Sequence, residues 1–133
     1  MEVLPYARLK TQIQTLLTQS VSSFDTAGEN SYHGFILGLC ALMSGFFVTS
    51  NRESGDGRYD IQLKPVQKGL PGILIELKAE KNCSGEKLKK LSEIALQQIN
   101  DKKYDSDLIA AGVSVIYKYG VAFSGKKVEV TIG

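Results

Sequence analysis

Three ionisable residues interrupt the two most strand-like segments of the chain. Asp60 lies within RYDIQL, and Glu76 and Lys78 lie within the otherwise apolar GILIELKA. Residues two apart in a strand project from the same face, so Glu76 and Lys78 project together. An antiparallel pairing of the two segments across the intervening LPG would bring Asp60 alongside Glu76. The pattern therefore predicts two carboxylates and one ammonium close together on a sheet.

Such a cluster has a definite chemical use. Two carboxylates at close range repel each other unless a cation lies between them. Hard divalent ions such as Mg²⁺ and Mn²⁺ prefer oxygen ligands of this kind. Zinc is disfavoured, because the chain has a single histidine and its two cysteines, Cys40 and Cys83, lack the spacing of metal ligands. The residue types thus indicate a Mg²⁺ or Mn²⁺ site.

Two structural explanations compete with a metal site. An E-x-K pattern on a strand also arises on a solvated face or in a salt bridge. Three charges can also form an inert buried ion-pair network. Strands flanked by helices are usually apolar on both faces, so ionisable residues there require partners. The combination of all three residues favours function more than E-x-K alone does.

The elements that would position these residues include both helices and strands. Periodicity predicts an amphipathic helix in LPYARLKTQIQTLLTQSV, a largely buried helix from about residue 29 to 43, and a third from about 85 to 103 with Ser84 as N-cap. SDLIAAG is expected to form a short helical turn or a loop, and NRESGDG a turn-rich loop. Strands are predicted in GFFVTS, RYDIQLKP, ILIELKA, VSVIYKYGVAF and KKVEVTI. This order, α–α–β–β–β–α–β–β, indicates an α/β or α+β architecture with a mixed sheet.

The composition is that of one globular domain. The 133 residues are 43% hydrophobic and 23% charged, and we expect residues 1–23 to contribute an N-terminal helix and residues 24–133 the core. The net charge of +2 means that nucleic-acid binding would need a local basic patch. The N-terminus lacks a signal-peptide layout, and the longest apolar stretch falls short of the ~20 residues that span a bilayer. We therefore expect a cytoplasmic protein without a membrane segment.

The segments around the three ionisable residues resemble a known superfamily. D…E-x-K on adjacent strands, together with ENSYHGFILGLCALM, SNRESGDGRYDIQL, ILIELKAEK, ALQQINDKKY and YKYGVAFSGKKVEV, resembles the PD-(D/E)XK nuclease domain at the C-terminus of a family of bacterial AAA-ATPase-like proteins. The resemblance runs from about Phe24 to the end of the sequence. It implies an α/β fold with a restriction-endonuclease-like core, α-β-β-β-α-β, in which helices flank a mixed sheet.

The resemblance also implies roles for individual residues. Asp60 and Glu76 correspond to metal ligands, and Lys78 to the lysine that positions the attacking water and offsets charge on the scissile phosphate. Glu29, at the start of the second predicted helix, corresponds to an auxiliary ligand. Gln98, on the buried stripe of the third, corresponds to a glutamine of the site. The implied activity is Mg²⁺- or Mn²⁺-dependent hydrolysis of phosphodiester bonds in nucleic acid, with DNA as the expected substrate.

Basic residues near these segments form a second set of candidates. Arg58 would either contact phosphate or hold its own loop in place. His33 would either hydrogen-bond near Glu29 or act as a base, and we expect the hydrogen bond. The lysines that follow the strand ILIELKA would form a solvated surface or follow a phosphate backbone. These lysines are Lys81, Lys102 and Lys103, with Lys87, Lys89 and Lys90 between them.

One further segment resembles a phosphate-binding loop without being one. GVAFSGKK, residues 120–127, ends in a lysine where a hydroxyl is required, and a strand follows where a helix is required. The resemblance to the domain of AAA-ATPase-like proteins implies an AAA-type ATPase as a partner of the chain, with homodimerisation as another possibility. The alternative to a nuclease is a non-catalytic module of the same fold that binds nucleic acid or protein and partners an ATPase.

Overall fold

The computed structural model describes residues 6–19, 29–51, 53–55, 57–58 and 60–133. Four helices and seven strands form in this part of the chain. The helices are α1 (Tyr6–Gln19), α2 (Glu29–Ala41), α3 (Gly85–Asp101) and α4 (Ser106–Ala110). The strands are β1 (Phe46–Ser50), β2 (Glu53–Ser54), β3 (Gly57–Arg58), β4 (Ile61–Pro65), β5 (Gly72–Ala79), β6 (Ile116–Ser124) and β7 (Lys127–Ile132).

Five of the strands form one mixed sheet in the order β1-β4-β5-β6-β7. β5 and β6 are parallel, and the other three pairings are antiparallel. A parallel pair requires a long crossover connection, which α3 and α4 provide here. β2 and β3 form a separate two-stranded hairpin. The predicted α/β architecture, with helices flanking a mixed sheet, is confirmed.

The two faces of the sheet differ in character, as the alternation within β5 predicts. Ile73, Ile75 and Leu77 lie in a buried apolar cluster that α1 and α2 cover. Leu74 points to the opposite face and packs against Ile99 of α3. Glu76 shares the face of Leu74, since residues two apart project together. The ionisable residues of β5 therefore lie on the α3 side of the sheet.

Helix α3 lies very close to β6. A β-carbon at Gly120 would overlap the carbonyl oxygen of Ser92 and the backbone nitrogen of Leu96, so a residue without a side chain is required there. The helix begins as predicted, with Ser84 Oγ accepting a hydrogen bond of 3.2 Å from the backbone N–H of Lys87. This close packing sets the position of the α3 side chains above β5.

Several local predictions need correction. The strand predicted in RYDIQLKP, residues 58–65, begins only at Ile61, so Asp60 lies in a bend directly before β4. NRESGDG contains the β2–β3 hairpin instead of a loop alone, because strands of two residues are too short to produce an alternating pattern. α2 and α3 end at Ala41 and Asp101, two residues earlier than predicted. α2 was predicted to be largely buried, but its buried residues form one stripe, since α1 and the sheet cover only that side. The stripe consists of Tyr32, Ile36 and Cys40. Among the residues described, no helix has both the length and the apolar character needed to cross a bilayer.

Candidate functional site

The site is built around Asp60 and Glu76 at the junction of β4 and β5. The register ends with Ile61 paired to Ile75, and Asp60 lies in the bend directly before β4, at the position that a continued register would set opposite Glu76. Asp60 Oδ2 accepts a hydrogen bond of 2.7 Å from the backbone N–H of Leu77. This bond holds the Asp60 carboxylate against β5, next to the residue that carries the second carboxylate. The predicted antiparallel pairing of the two strands is confirmed.

Glu76 is a buried carboxylate, with only 4% of its side chain exposed. Burying a carboxylate costs roughly several kcal/mol of lost hydration unless nearby groups compensate for it. The ammonium of Lys78 lies on the same face, with Nζ 3.8 Å from Glu76 Oε2. The contact is an ion pair beyond hydrogen-bond distance. Lys78 therefore contributes charge near Glu76 while its hydrogen bond goes elsewhere.

That hydrogen bond goes to Gln98 on α3. Lys78 Nζ donates to Gln98 Oε1 at 2.8 Å, and Gln98 Nε2 donates in turn to the Tyr104 hydroxyl at 3.0 Å. The three side chains form a continuous chain from β5, across α3, to the segment that follows it. Gln98 thus has a polar partner at each end of its amide, which accounts for an amide at this half-buried position.

Tyr104 is the member of this hydrogen-bonded series that sequence reasoning missed. Its side chain is 3% exposed and packs in a buried cluster with Leu74, Ile99 and Leu108. It follows the end of α3, where Lys103 adopts a left-handed conformation with φ of 55° and the chain turns back. Helical periodicity does not relate Gln98 to Tyr104 across such a turn. The available signal was a tyrosine at the end of ALQQINDKKY.

The β2–β3 hairpin rests on the same turn. Gly55 has φ of +63°, and a β-carbon there would overlap the carbonyl oxygens of Lys102 and Lys103. A β-carbon at Gly57 would lie 3.2 Å from Cε1 and 3.3 Å from the hydroxyl oxygen of Tyr104. The hairpin directly precedes Asp60 in the chain. Its contact with the turn therefore links the approach to Asp60 with the segment that carries Tyr104.

Helix α2 reaches the site through His33. His33 Nε2 lies 3.3 Å from the backbone carbonyl oxygen of Asp60, a hydrogen bond when Nε2 carries the proton. Glu29 begins α2, one helical turn before His33, and the two residues lie on the same helix face. The side chains of Glu29 and Arg58 lie outside the described residues, so their roles stay predictions.

The predicted phosphate-binding lysines are surface residues with different surroundings. Lys81 lies on the turn after β5, and Lys102 and Lys103 lie beneath the hairpin; all three are exposed. Lys87 pairs with Glu80 at 3.1 Å, and its hydrogen bond to Glu80 raises the pKa of the Lys87 ammonium. Lys89 Nζ donates to the carbonyl oxygen of Val130 at 3.0 Å. Lys81, Lys102 and Lys103 remain candidates for phosphate contact, whereas Lys87 and Lys89 have structural partners.

The donor set suits a hard divalent cation. Carboxylates are oxygen ligands, and Mg²⁺ commonly binds to one or two of them while it keeps several water molecules. Within the described part of the chain, no group of three His, Cys, Asp or Glu side chains is arranged to hold a metal. Asp60 and Glu76 are the described carboxylates that could hold such a cation, and Glu29, whose side chain is not described, is the proposed addition.

A cavity of about 480 Å³ lies on the other face of the sheet, beneath α1 and α2. Its lining is largely apolar and includes Ile36, Leu63 and Ile75. Cys40 also lines it, and burial raises the pKa of the Cys40 thiol to about 11. Since Glu76 projects from the opposite face of β5, this cavity is separate from the carboxylate site.

Comparison with known proteins assigns the chain to a family. A family model of the PD-(D/E)XK nuclease superfamily matches residues 27–131. No curated protein and no solved structure matches the chain. The match covers every element from α2 to β7 apart from the last residue, Ile132, and it includes Asp60, Glu76 and Lys78. The mixed sheet with flanking helices is consistent with a restriction-endonuclease-like fold. From the extent of this match and the agreement of the fold, the chain belongs to the PD-(D/E)XK nuclease superfamily.

Proposed function

We propose that this protein is a metal-dependent nuclease that hydrolyses phosphodiester bonds of nucleic acid. The observation that carries the proposal is the hydrogen bond from Leu77 N–H to Asp60 Oδ2, which holds the Asp60 carboxylate against β5 beside buried Glu76. Membership of the nuclease superfamily supports the reaction class. Asp60 and Glu76 are the proposed cation ligands, and Glu29 is the proposed auxiliary ligand.

The two carboxylates have different tasks in this proposal. Oδ2 of Asp60 is engaged by Leu77 N–H, so we assign Oδ1 to the cation. Burial of Glu76 keeps bulk water away from its carboxylate, which strengthens its attraction for a cation. When bound, Mg²⁺ or Mn²⁺ would supply a water of lowered pKa and would stabilise negative charge on the phosphate. The position of Glu76 in β5 and the hydrogen bond from Leu77 N–H to Asp60 pre-organise both carboxylates.

Lys78 is the proposed electrostatic group of the reaction. Its ammonium is held by Gln98 Oε1 at 2.8 Å instead of bonding directly to Glu76. A positive charge held in this way can orient the attacking water and offset charge that develops on the scissile phosphate. Gln98 acts through Lys78, because its amide oxygen fixes the direction of the ammonium.

The finer features of the proposal concern substrate and partners. We propose DNA as the substrate, with Arg58, Lys81, Lys102 and Lys103 contacting its phosphates; the exposure of the three lysines and the resemblance support this. We also propose an AAA-type ATPase as partner, which rests on the resemblance alone. Cleavage of matched DNA and RNA substrates, and ATPase stimulation by the purified chain, are the corresponding measurements.

The decisive experiment combines calorimetric Mn²⁺ titration with cleavage assays on single- and double-stranded DNA. The wild type should bind Mn²⁺ and cleave, and Asp60→Asn should lose both activities while it remains folded. Asp101→Asn is the matched control, since Asp101 is exposed at the end of α3. Undiminished cleavage by Asp60→Asn would refute the assigned site. DNA binding by the wild type without Mn²⁺ binding or cleavage would establish the non-catalytic module instead.

A further inference from the structure

Gln62 is a buried amide on the same face of the sheet as Glu76. It lies in β4, two residues after Asp60, and is 5% exposed. The register pairs it with Leu74 of β5 on one side and with Thr49 of β1 on the other. Among the residues that the structure describes, no group donates a hydrogen bond to Gln62 Oε1.

An amide is an unfavourable choice for this position on packing grounds alone. The cross-strand neighbour Leu74 is fully buried and belongs to the apolar cluster of Ile99, Tyr104 and Leu108. A leucine or methionine of similar size would pack there without leaving a polar atom unpaired. Buried polar atoms without partners are rare in folded proteins and call for a specific explanation.

The strand register shows which groups the amide can serve. Asp60 lies opposite Glu76 when the register is continued, and Gln62 lies opposite Leu74. Gln62 is therefore the diagonal cross-strand neighbour of Glu76, and it lies two residues after Asp60 in the chain. The strand register thus places the buried amide next to the strand position of Glu76.

We propose that Gln62 Oε1 accepts a hydrogen bond from a water molecule that hydrates the divalent cation at Asp60 and Glu76. Gln62 is thereby a positioning residue, and the inference rests on the cation site of the proposed function. A cation such as Mg²⁺ retains part of its water shell, and those waters need acceptors. A neutral amide provides one without placing a third negative charge beside two carboxylates.

The test measures Mn²⁺ affinity by calorimetry and thermal unfolding without metal. Gln62→Met keeps the length of the side chain and removes the amide. Loss of a hydrogen bond to the metal's surroundings should weaken Mn²⁺ binding roughly tenfold. The metal-free Tm should stay equal or rise, because an unpaired buried polar atom is removed. The matched control is Leu74→Met, which makes a similar change at the paired position and should bind Mn²⁺ like the wild type.

A second variant guards against misfolding of the first. Gln62→Glu keeps an acceptor oxygen at the same place but adds a charge, so its metal-free Tm should fall, and saturating Mn²⁺ should raise Tm more than in the wild type. Equal Mn²⁺ affinity of Gln62→Met and wild type, or no larger Mn²⁺ effect on Gln62→Glu, would overturn the inference alone. Absence of Mn²⁺ binding by the wild type would instead overturn the cation site itself.

Discussion

The Lys78 ammonium is hydrogen-bonded to the amide oxygen of Gln98 at 2.8 Å, and it stands farther, at 3.8 Å, from the Glu76 carboxylate on its own strand. A direct hydrogen-bonded ion pair with Glu76 would direct the charge of the lysine to the carboxylate. The amide fixes the direction of the ammonium without neutralising its charge, and Glu76 offsets that charge only across 3.8 Å. An ammonium held in this way is suited to an incoming phosphate, and the arrangement leads to separable predictions for the residues around it.

Removal of the lysine charge should separate catalysis from cation binding. We expect Lys78→Met to lower the cleavage rate by about 100-fold or more, as loss of a group that stabilises developing charge typically does. Mn²⁺ binding should persist, since the proposed ligands Asp60 and Glu76 are unchanged. Cleavage assays and calorimetry on the same preparation give both values. Lys68→Met, at an exposed lysine in the turn between β4 and β5, is the control, and loss of Mn²⁺ binding by Lys78→Met would contradict the proposed roles.

Loss of the Tyr104 hydroxyl should loosen the hold on Lys78. Tyr104→Phe keeps the buried ring but removes the oxygen that accepts from Gln98 Nε2 at 3.0 Å. We expect the free energy of unfolding to fall by about 1 kcal/mol, the usual effect of one lost hydrogen bond. The kcat should fall several-fold while KM stays close to that of the wild type, because the hydroxyl acts through Gln98.

The control for Tyr104→Phe is the same change at another tyrosine. Tyr117 lies on β6 and is 36% exposed, so Tyr117→Phe should alter neither unfolding nor kcat. Denaturant unfolding and steady-state kinetics on both variants provide the comparison. An unchanged kcat in Tyr104→Phe, with reduced stability, would assign the hydroxyl a purely structural role.

The hairpin contact can be tested by a pair of glycine substitutions. Gly55→Ala combines a left-handed φ of +63° with a β-carbon that overlaps two backbone carbonyl oxygens. We expect a loss of several kcal/mol, about 1 from the backbone conformation and the rest from the overlap, together with reduced cleavage. Gly69→Ala has φ of +87° with open space around its β-carbon, so it should show the conformational loss alone. Equal destabilisation of the two variants would show that the hairpin does not pack closely against the turn at Lys102 and Lys103.

The buried thiol of Cys40 makes stability depend on alkaline pH. Burial raises its pKa from 9.0 to about 11, so the folded state favours the neutral thiol. The associated stability is fully present below pH 9.0 and is lost as pH rises through about 11. At that pH the loss should be about 2 kcal/mol, from the free energy that corresponds to each unit of pKa difference.

The measurement for Cys40 is the free energy of unfolding at pH 8 and pH 11, determined for wild type and Cys40→Ala. Lysine and tyrosine ionisations affect both proteins alike and cancel in the difference. The stability advantage of the wild type over the variant should shrink by about 2 kcal/mol between the two pH values. Parallel pH profiles for the two proteins would mean that the thiolate is tolerated at this site.

Local patterns in the residues were enough to predict several features of the structure. Alternation in residues 72–79 predicted a strand with Ile73, Ile75 and Leu77 on one face and the charged residues on the other, as observed. Ser84 was correctly identified as the N-cap of α3. These features follow from the two-residue period of a strand and from the hydrogen-bonding needs of a helix end, which depend on near neighbours in sequence.

The burial of α2 and the β2–β3 hairpin were harder to predict from the sequence. The apolar composition of α2 suggested burial on most sides, yet how much of a helix is covered depends on which elements pack against it. The β2–β3 hairpin escaped prediction because its strands have only two residues each. Its placement depends on Gly55 meeting the turn at Lys102 and Lys103, far away in sequence.

The contacts that give the site its character depend on the tertiary structure. Asp60 meets Leu77 N–H across the β4–β5 register, Lys78 meets Gln98 across the sheet–helix interface, and Gln98 meets Tyr104 beyond the end of α3. The residue types alone supply two carboxylates, a lysine and a glutamine, and this set indicates the class of chemistry. Which lysine hydrogen bond forms, and which amide is left with a buried oxygen, depends on distances between segments that only close packing of α3 on the sheet establishes.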